Sequence, residues 1–432
     1  MNFFKSLVEF TGLLTDRFCH FLFLILLGLL LIIPETQFAY GLSTDCFSAR
    51  DCENKEQSPV QLRDDDSQLV LKVSDRMNAS LLRGVSLDQM IGQMLMLSFH
   101  GQKPTDTGTI DAQKILSSGK IGGLIFMGHN MKSRAQISAL IGFIKKGSPL
   151  NSPPFLAIDQ EGGQVQRLQE KHGFTTIPTA HELALHKSTS AAFKTYKVMA
   201  NELADVGFNV NFGPVVDLNL VPQNPIIGKR ERSYGQLPAT VESFSRAFVM
   251  AHRQNNILTA LKHFPGHGSS WTDSHEQFVD LSQSWKQREL EPYRQMISEK
   301  LADMVMVGHL YHPNFSDGNK LPASLSKRAI EGVLRGQLGY KGLVVTDDLG
   351  MGAIRKYFSF DEALIRSIRA GNDIIMIVDG KYANSHEINR IHGIIIDAVK
   401  QGHIPLSTIQ QSYLRIIKAK KHLAKVRMNK RR

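Results

Sequence analysis

Beyond residue 90 the chain alternates between short continuous apolar runs and longer stretches in which apolar and polar residues recur at helical spacing. The apolar runs are Gln93–Phe99, Ile121–Met127, Phe155–Asp159 and Asn209–Leu218, then Leu258–His263, Asp303–His309, Gly342–Asp347 and Asp373–Val378. Continuous rather than alternating hydrophobicity marks strands covered on both faces, as in parallel sheets. Eight such units, separated by amphipathic sequence, predict an α/β fold built as one (β/α)8 barrel of the TIM type. The other α/β architecture, a doubly wound open sheet, has no dinucleotide glycine fingerprint here to support it. Ser86-Leu-Asp-Gln89 reads as a capped helix start, so the barrel should begin there. The amphipathic stretches Ile388–Val399 and Thr408–Ala424 should close it.

The N-terminal segment differs. Phe21 to Ile33 is an uncharged apolar run of 13 residues, preceded by Lys5 and Arg17 and followed by Pro34 and a polar stretch. A spanning helix needs about 20 residues, so this run suits the apolar region of a secretory signal peptide. Extending it back to Phe18 leaves an uncleaved anchor open. Either form predicts export, to a periplasmic or secreted location, with membrane anchoring if the segment is retained. With cleavage after Ala39, the expected organisation is a signal peptide or anchor (1–39), a polar linker (40–85), a barrel (86–425) and a basic tail (426–432). Cys46 and Cys52 could pair in an oxidising compartment or stay unpaired in the linker.

Composition narrows the function classes. Hydrophobic residues at 42% and charged residues at 21% can bury a core, which excludes global disorder and a coiled coil. All three cysteines precede the barrel, which excludes a disulfide scaffold and a cysteine-based zinc cluster. The net charge of +11 is local. Arg415 to Arg432 carries nine Lys or Arg and no acid, leaving about +2 for the rest of the chain. That distribution argues against a nucleic-acid partner. It fits a solvated terminus or one that touches an anionic membrane or cell-wall surface.

Chemistry-bearing residues collect where strands end: Asp159, Asp217, Lys262-His263, His309 and Asp347-Asp348. In a (β/α)8 barrel the active site is built at those carboxyl ends, so the five positions predict one shared mouth. Asp273 lies two residues before His275 in the next loop and, in extended chain, could accept its imidazole N–H and fix the tautomer. Neighbouring strand residues face opposite ways, so only one of Asp347 and Asp348 should enter the mouth. A carboxylate there could act as a nucleophile, whereas as helix N-caps both acids would be structural, a role that suits Asp348 better than Asp347. His263, His267, His275 and Asp273 could compose a zinc-like set, but a Pro-Gly turn separates the first two and no HExxH-type spacing occurs, so no metal or cofactor is expected.

With these residues in view, the chain resembles glycoside hydrolase family 3, in its β-N-acetylglucosaminidase branch, over about residues 86–425. The motifs that carry the resemblance are IDQEGGQVQRL (158–168), NVNFGPVVDLN (209–219), RSYG (232–235), LKHFPGHG (261–268), DSH (273–275) and VVTDDLGM (344–351). The resemblance implies a retaining, two-step glycosidase with Asp347 as nucleophile, His275 as general acid/base and Asp273 as its partner. It implies sugar binding by Asp159, Arg167, Arg232, Lys262 and His263, with Glu161 in the same shell. A histidine acid/base repels an incoming anion less than a carboxylate would, so phosphate is an alternative to water in the second step. Ser269-Ser270-Trp271, Glu276-Gln277 and Gln164 depart from the branch's usual residues in or near the closing loop and bear on substrate range. The resulting expectation is a monomeric exo-β-N-acetylglucosaminidase acting on peptidoglycan- or chitin-derived oligosaccharides. The alternatives are a β-glucosidase or β-xylosidase of the same fold, and a catalytically dead glycan-binding barrel.

Overall fold

A computed structural model describes residues 78–148 and 152–429, with side chains as far as Ala424. The leader 1–39, Cys46, Cys52, most of the linker and the last three residues lie outside the described residues.

Each apolar run becomes a buried strand. These are β1 (Leu95–Leu97), β2 (Gly123–Phe126), β3 (Phe155–Ile158), β4 (Val210–Asn211), β5 (Leu258–Phe264), β6 (Met304–Val307), β7 (Leu343–Thr346) and β8 (Ile375–Ile377). All neighbouring pairs in the sheet are parallel, in the order β7-β6-β5-β4-β3-β2-β1-β8. A bridge between Val345 and Ile374 joins the two ends, and the Thr346 hydroxyl accepts the Met376 N–H at 2.9 Å, so the sheet closes into a barrel. The helical layer comprises α1 (Leu87–Met94), α2 (Thr107–Ser117), α3 (Arg134–Ile144), α4 (Thr189–Val206), α5 (Pro238–Arg253), α6 (Glu291–Ser298), a π-helix (Arg328–Gln337), α7 (Phe360–Ala370), α8 (Ser385–Lys400) and α9 (Leu406–Asn429).

Local sequence explains the boundaries. Ser86 and Gln89 form a reciprocal capping box at α1, as their spacing predicts, an arrangement worth about 1 kcal/mol. Strand β4 is the shortest because Gly213-Pro214 follows it and proline donates no ladder hydrogen bond. Beyond that interruption Val215 still bridges Lys262, which keeps the fourth and fifth strands aligned toward the mouth.

The basic C-terminal run is less exposed than its composition suggests. Arg415 donates to Asp373 at 2.8 Å, and Asp373 is fully buried. Lys420 is buried as well, with Nζ 2.7 Å from both Gln93 Oε1 and the Gly122 carbonyl. Among the described residues Lys420 is therefore internal and Arg415 half-buried, because α9 lays one face against the bottom of the barrel. Among the described residues no helix is long and apolar enough to cross a membrane.

Candidate active site

Beyond the ends of β3 and β5 lies a nest of buried charge. Lys262 Nζ is 2.9 Å from Asp159 Oδ1 and 2.5 Å from Glu161 Oε1. Arg232 grips Glu161 with two parallel bonds of 2.8 Å, and Arg167 stands 3.8 Å from Asp159. Burial by itself would raise the Glu161 carboxyl, but the adjoining Arg232 and Lys262 cations outweigh it and hold the pKa far below the usual carboxylate range. Burial likewise works against the Lys262 ammonium, and Asp159 and Glu161 more than restore it. The Arg167 Nε is buried without a protein partner, a donor left over for a ligand.

Lys262 and His263 are consecutive, yet both line the cavity, because the β5–β6 register shifts between Leu261 and Phe264. His263 Nδ1 lies 2.7 Å from Asp217 Oδ2, and Asp217 also accepts the backbone N–H groups of His263 and His267. Asp217 is thus the buried post on which KHFPGHG is hung. The motif's glycines are steric requirements. A Cβ on Gly268 would fall 1.6 Å from the Leu218 carbonyl oxygen, and one on Gly266 would meet Glu289 at 2.7 Å at a φ of +124°. His267 turns away from the mouth to Ser274 at 3.1 Å, and burial pushes its pKa down to about 4. Among the described residues no three His, Cys, Asp or Glu side chains converge as a metal-holding group.

On the facing side, Asp347 follows directly after β7. Burial pushes its carboxyl up, but the nearby His309 and His263 rings and the Asp348 N–H, 2.8 Å from Oδ1, together hold it below the ordinary value. Asp348 also lines the cavity, contrary to the expectation from strand alternation. The strand ends at Thr346, so alternation no longer governs the pair. Nor does Asp348 cap a helix, since the short helix Gly352–Arg355 is entered through Met351. Its Oδ1 instead takes the N–H groups of Gly350 and Val378 at 2.9 and 2.8 Å, fastening the β7 loop to the end of β8. His309 sits beneath, its Nε2 2.7 Å from the Asp348 carbonyl and its Nδ1 2.7 Å from the Ser324 hydroxyl.

Asp273 and His275 meet as their spacing suggests, with Nδ1 2.7 Å from Oδ1, but the backbone between them turns rather than extends. Asp273 Oδ1 takes the His275 N–H at 2.7 Å in an Asx turn, and its carbonyl takes Gln277 N–H at 3.0 Å. The loop is seated on the far side of the barrel by Gly352 N–H to the His275 carbonyl at 2.9 Å and Ala353 N–H to that of Ser274 at 3.1 Å. The His275 side chain is 59% exposed, so with Nδ1 occupied its Nε2 can exchange protons with whatever enters.

A single cavity of about 210 Å³ is lined by Asp159, Glu161, Arg167, Arg232, Lys262, His263, His275 and Asp347. Of the eight predicted site residues only Asp273 is not on its wall, and it touches His275, which is. Asp217 supports the site without lining it, and its sequence signals were its place at a strand end and within NVNFGPVVDLN. Arg230 lines the cavity too, and nothing in its sequence setting marked it.

Comparison with known proteins agrees with this geometry. The family description "Glycosyl hydrolase family 3 N terminal domain" matches residues 86–419. Beta-hexosaminidase A of Pseudoalteromonas piscicida is 31% identical over 370 residues, which span 78% of this chain and 62% of that protein. Beta-hexosaminidase LpqI of Mycobacterium tuberculosis is 33% identical over 71% of this chain and 77% of its own length. Among solved structures, a family 3 β-N-acetylglucosaminidase from Paenibacillus sp. superposes with a TM-score of 0.71 at 33% identity, over 79% of this chain and 63% of the other. M. tuberculosis LpqI superposes with a TM-score of 0.69 at 30% identity, covering 96% of its chain. The chain thus spans under two thirds of the Pseudoalteromonas and Paenibacillus proteins but most of LpqI. The match over the whole barrel establishes that this chain belongs to glycosyl hydrolase family 3.

Proposed function

We propose that the protein is an exported, retaining exo-β-N-acetylglucosaminidase that removes terminal β-linked N-acetylglucosamine from peptidoglycan- or chitin-derived oligosaccharides. One observation carries the reading. A carboxylate held ionised (Asp347) and an imidazole oriented by its own carboxylate (His275–Asp273) line the same small cavity as the Asp159–Glu161–Arg232–Lys262 nest. The names borne by the relatives, β-hexosaminidase and β-N-acetylglucosaminidase, support the choice of sugar.

In this mechanism the terminal sugar lies over the charged nest, its hydroxyls donating to Asp159 and accepting from Lys262 and Arg167. Asp347 attacks the anomeric carbon while His275 Nε2 gives its proton to the departing oxygen, and Asp273 stabilises the imidazolium beforehand. A glycosyl-Asp347 ester forms and the aglycone leaves. His275, now neutral, takes a proton from water as that water attacks the same carbon, which restores the carboxylate with net retention. Export rests on the 21–33 apolar run, and contact with an anionic envelope surface rests on the cations beyond Arg415.

The test is a panel of 4-nitrophenyl β-N-acetylglucosaminide, β-glucoside and β-xyloside, with proton NMR of the first product formed, with and without phosphate. Turnover of the N-acetylglucosaminide with initial release of the β-anomer is expected. Preference for the glucoside or xyloside, initial α-anomer, or glycan binding without turnover would each reject the reading.

A further inference from the structure

Four cations line the active cavity, and three have carboxylate neighbours inside it: Arg232 and Lys262 at Glu161, and Arg167 at Asp159. Arg230 is the exception. Its side chain is exposed, lines the same cavity, and has no hydrogen bond or ion pair among the described residues.

The backbone that carries it is fixed. Lys229 N–H donates to the Asn224 carbonyl at 2.9 Å, Glu231 N–H to that of Gly228 at 2.9 Å, and Arg232 N–H to that of Ile227 at 3.0 Å. Glu231 has a φ of +54°, an uncommon conformation for a residue with a side chain. It is held there from both ends, its carboxylate accepting from the Thr179 hydroxyl at 3.1 Å and its carbonyl from His181 N–H at 3.2 Å. The residues flanking it sit at different depths, Arg232 sunk against Glu161 and Arg230 at the mouth. The tethered backbone has already met its own share of the ordering cost of binding an anion, leaving the side chain's rotamers to be fixed by the ligand.

The position restricts which part of a substrate supplies that anion. An exo-acting enzyme places the terminal sugar at the closed end, so the leaving group occupies the mouth. N-acetylglucosamine is uncharged, so it offers Arg230 hydroxyl and carbonyl acceptors but no counter-charge. Nearer the reacting carbon an anion would meet the field of Asp347 and Asp348, which admits negative charge only at the rim. We propose that Arg230 is a specificity residue that selects N-acetylglucosaminides whose leaving group carries a carboxylate, gripped by the planar guanidinium. This inference rests on the hydrolase reading above.

The test compares kcat/KM for 3-carboxyumbelliferyl and 4-methylumbelliferyl β-N-acetylglucosaminide in the full-length wild type, Arg230→Gln and Arg230→Lys. Taking the ratio of acidic to neutral substrate within each protein, then between proteins, cancels the intrinsic difference in leaving-group reactivity. The ratio should fall about tenfold in Arg230→Gln, recover in part in Arg230→Lys, and in the wild type decline as salt is raised. An unchanged ratio, or equal losses on both substrates, would overturn the proposal. Calorimetric binding of the same two glycosides in an Asp347→Asn background, with and without Arg230→Gln, reads the same ratio without turnover. Discrimination in that background, together with a wild type that hydrolyses neither compound, would reject the hydrolase reading while leaving the role of Arg230 standing.

Discussion

Two buried lysines mark the two ends of the barrel, and they live under opposite conditions. Lys262, at the mouth, sits between two carboxylates, and its ammonium is stabilised beyond its ordinary value. Lys420, at the floor, reaches only the neutral oxygens of Gln93 and Gly122 and lies 4.9 Å from the Phe155 ring centre. With no carboxylate to offset burial, its pKa is pushed down to about 7. Where charge must meet a substrate, this fold supplies counter-charges and fixes them in place. Where a lysine only joins α9 to the starts of the strands, its charge is a liability that the amine sheds. The contrast follows from the partners and not from depth, since the buried Asp373, also at a strand start, keeps its charge against Arg335 and Arg415.

Four substitutions test that contrast, in descending order of effect. Asp347→Ala removes the proposed nucleophile without unpairing the nest opposite it. It should lower kcat on the order of 10⁴-fold or more with thermal stability nearly unchanged, as read by steady-state kinetics and calorimetry. His275→Ala should cost about 10²- to 10⁴-fold on glycosides with poor leaving groups and far less on activated aryl glycosides, a split visible in a Brønsted series.

Glu161→Gln would strand Arg232 and Lys262 with half their counter-charge, at a cost of about 3–5 kcal/mol and a Tm several degrees lower. Because the Glu161 pKa is depressed in the folded protein, its stabilisation is present above its ordinary value of 4.5 and lost as the pH falls below it. The Tm gap between wild type and Glu161→Gln should therefore shrink as the pH is lowered through that region. Lys420→Met, at the other end, should leave kcat/KM within about twofold of the wild type, as expected of a helix residue packed on the barrel floor. Its stability signature has the opposite sign. The unfolded lysine binds a proton up to 10.5 and the folded one only up to about 7, so the wild type should gain Tm relative to Lys420→Met as the pH rises from 7 to about 9. A flat difference would show that the floor lysine is no liability and would break the comparison.

How legible each part was follows from how far apart its partners lie in the chain. The Asp273–His275 pair and the acid after GLVVT are local, so spacing and strand ends sufficed to find them, although the turn between Asp273 and His275 replaced the extended segment expected. The Glu161–Arg232 clasp joins residues 71 apart, and the Asp217–His263 contact joins residues 46 apart. No local pattern tells which carboxylate meets which cation across neighbouring strands. For the same reason nothing in Arg415–Arg432 revealed that Arg415 and Lys420 turn inward.

The order of apolar runs determined the barrel by itself, since eight strands buried on both faces have few other ways to be covered, and the strand ends determined which residues could share a mouth. Tertiary structure alone decided which charges are paired, which stand free and which are submerged. Those outcomes depend on distances between strands and on local burial, and an electrostatic energy scales with both, whereas order along the chain records neither.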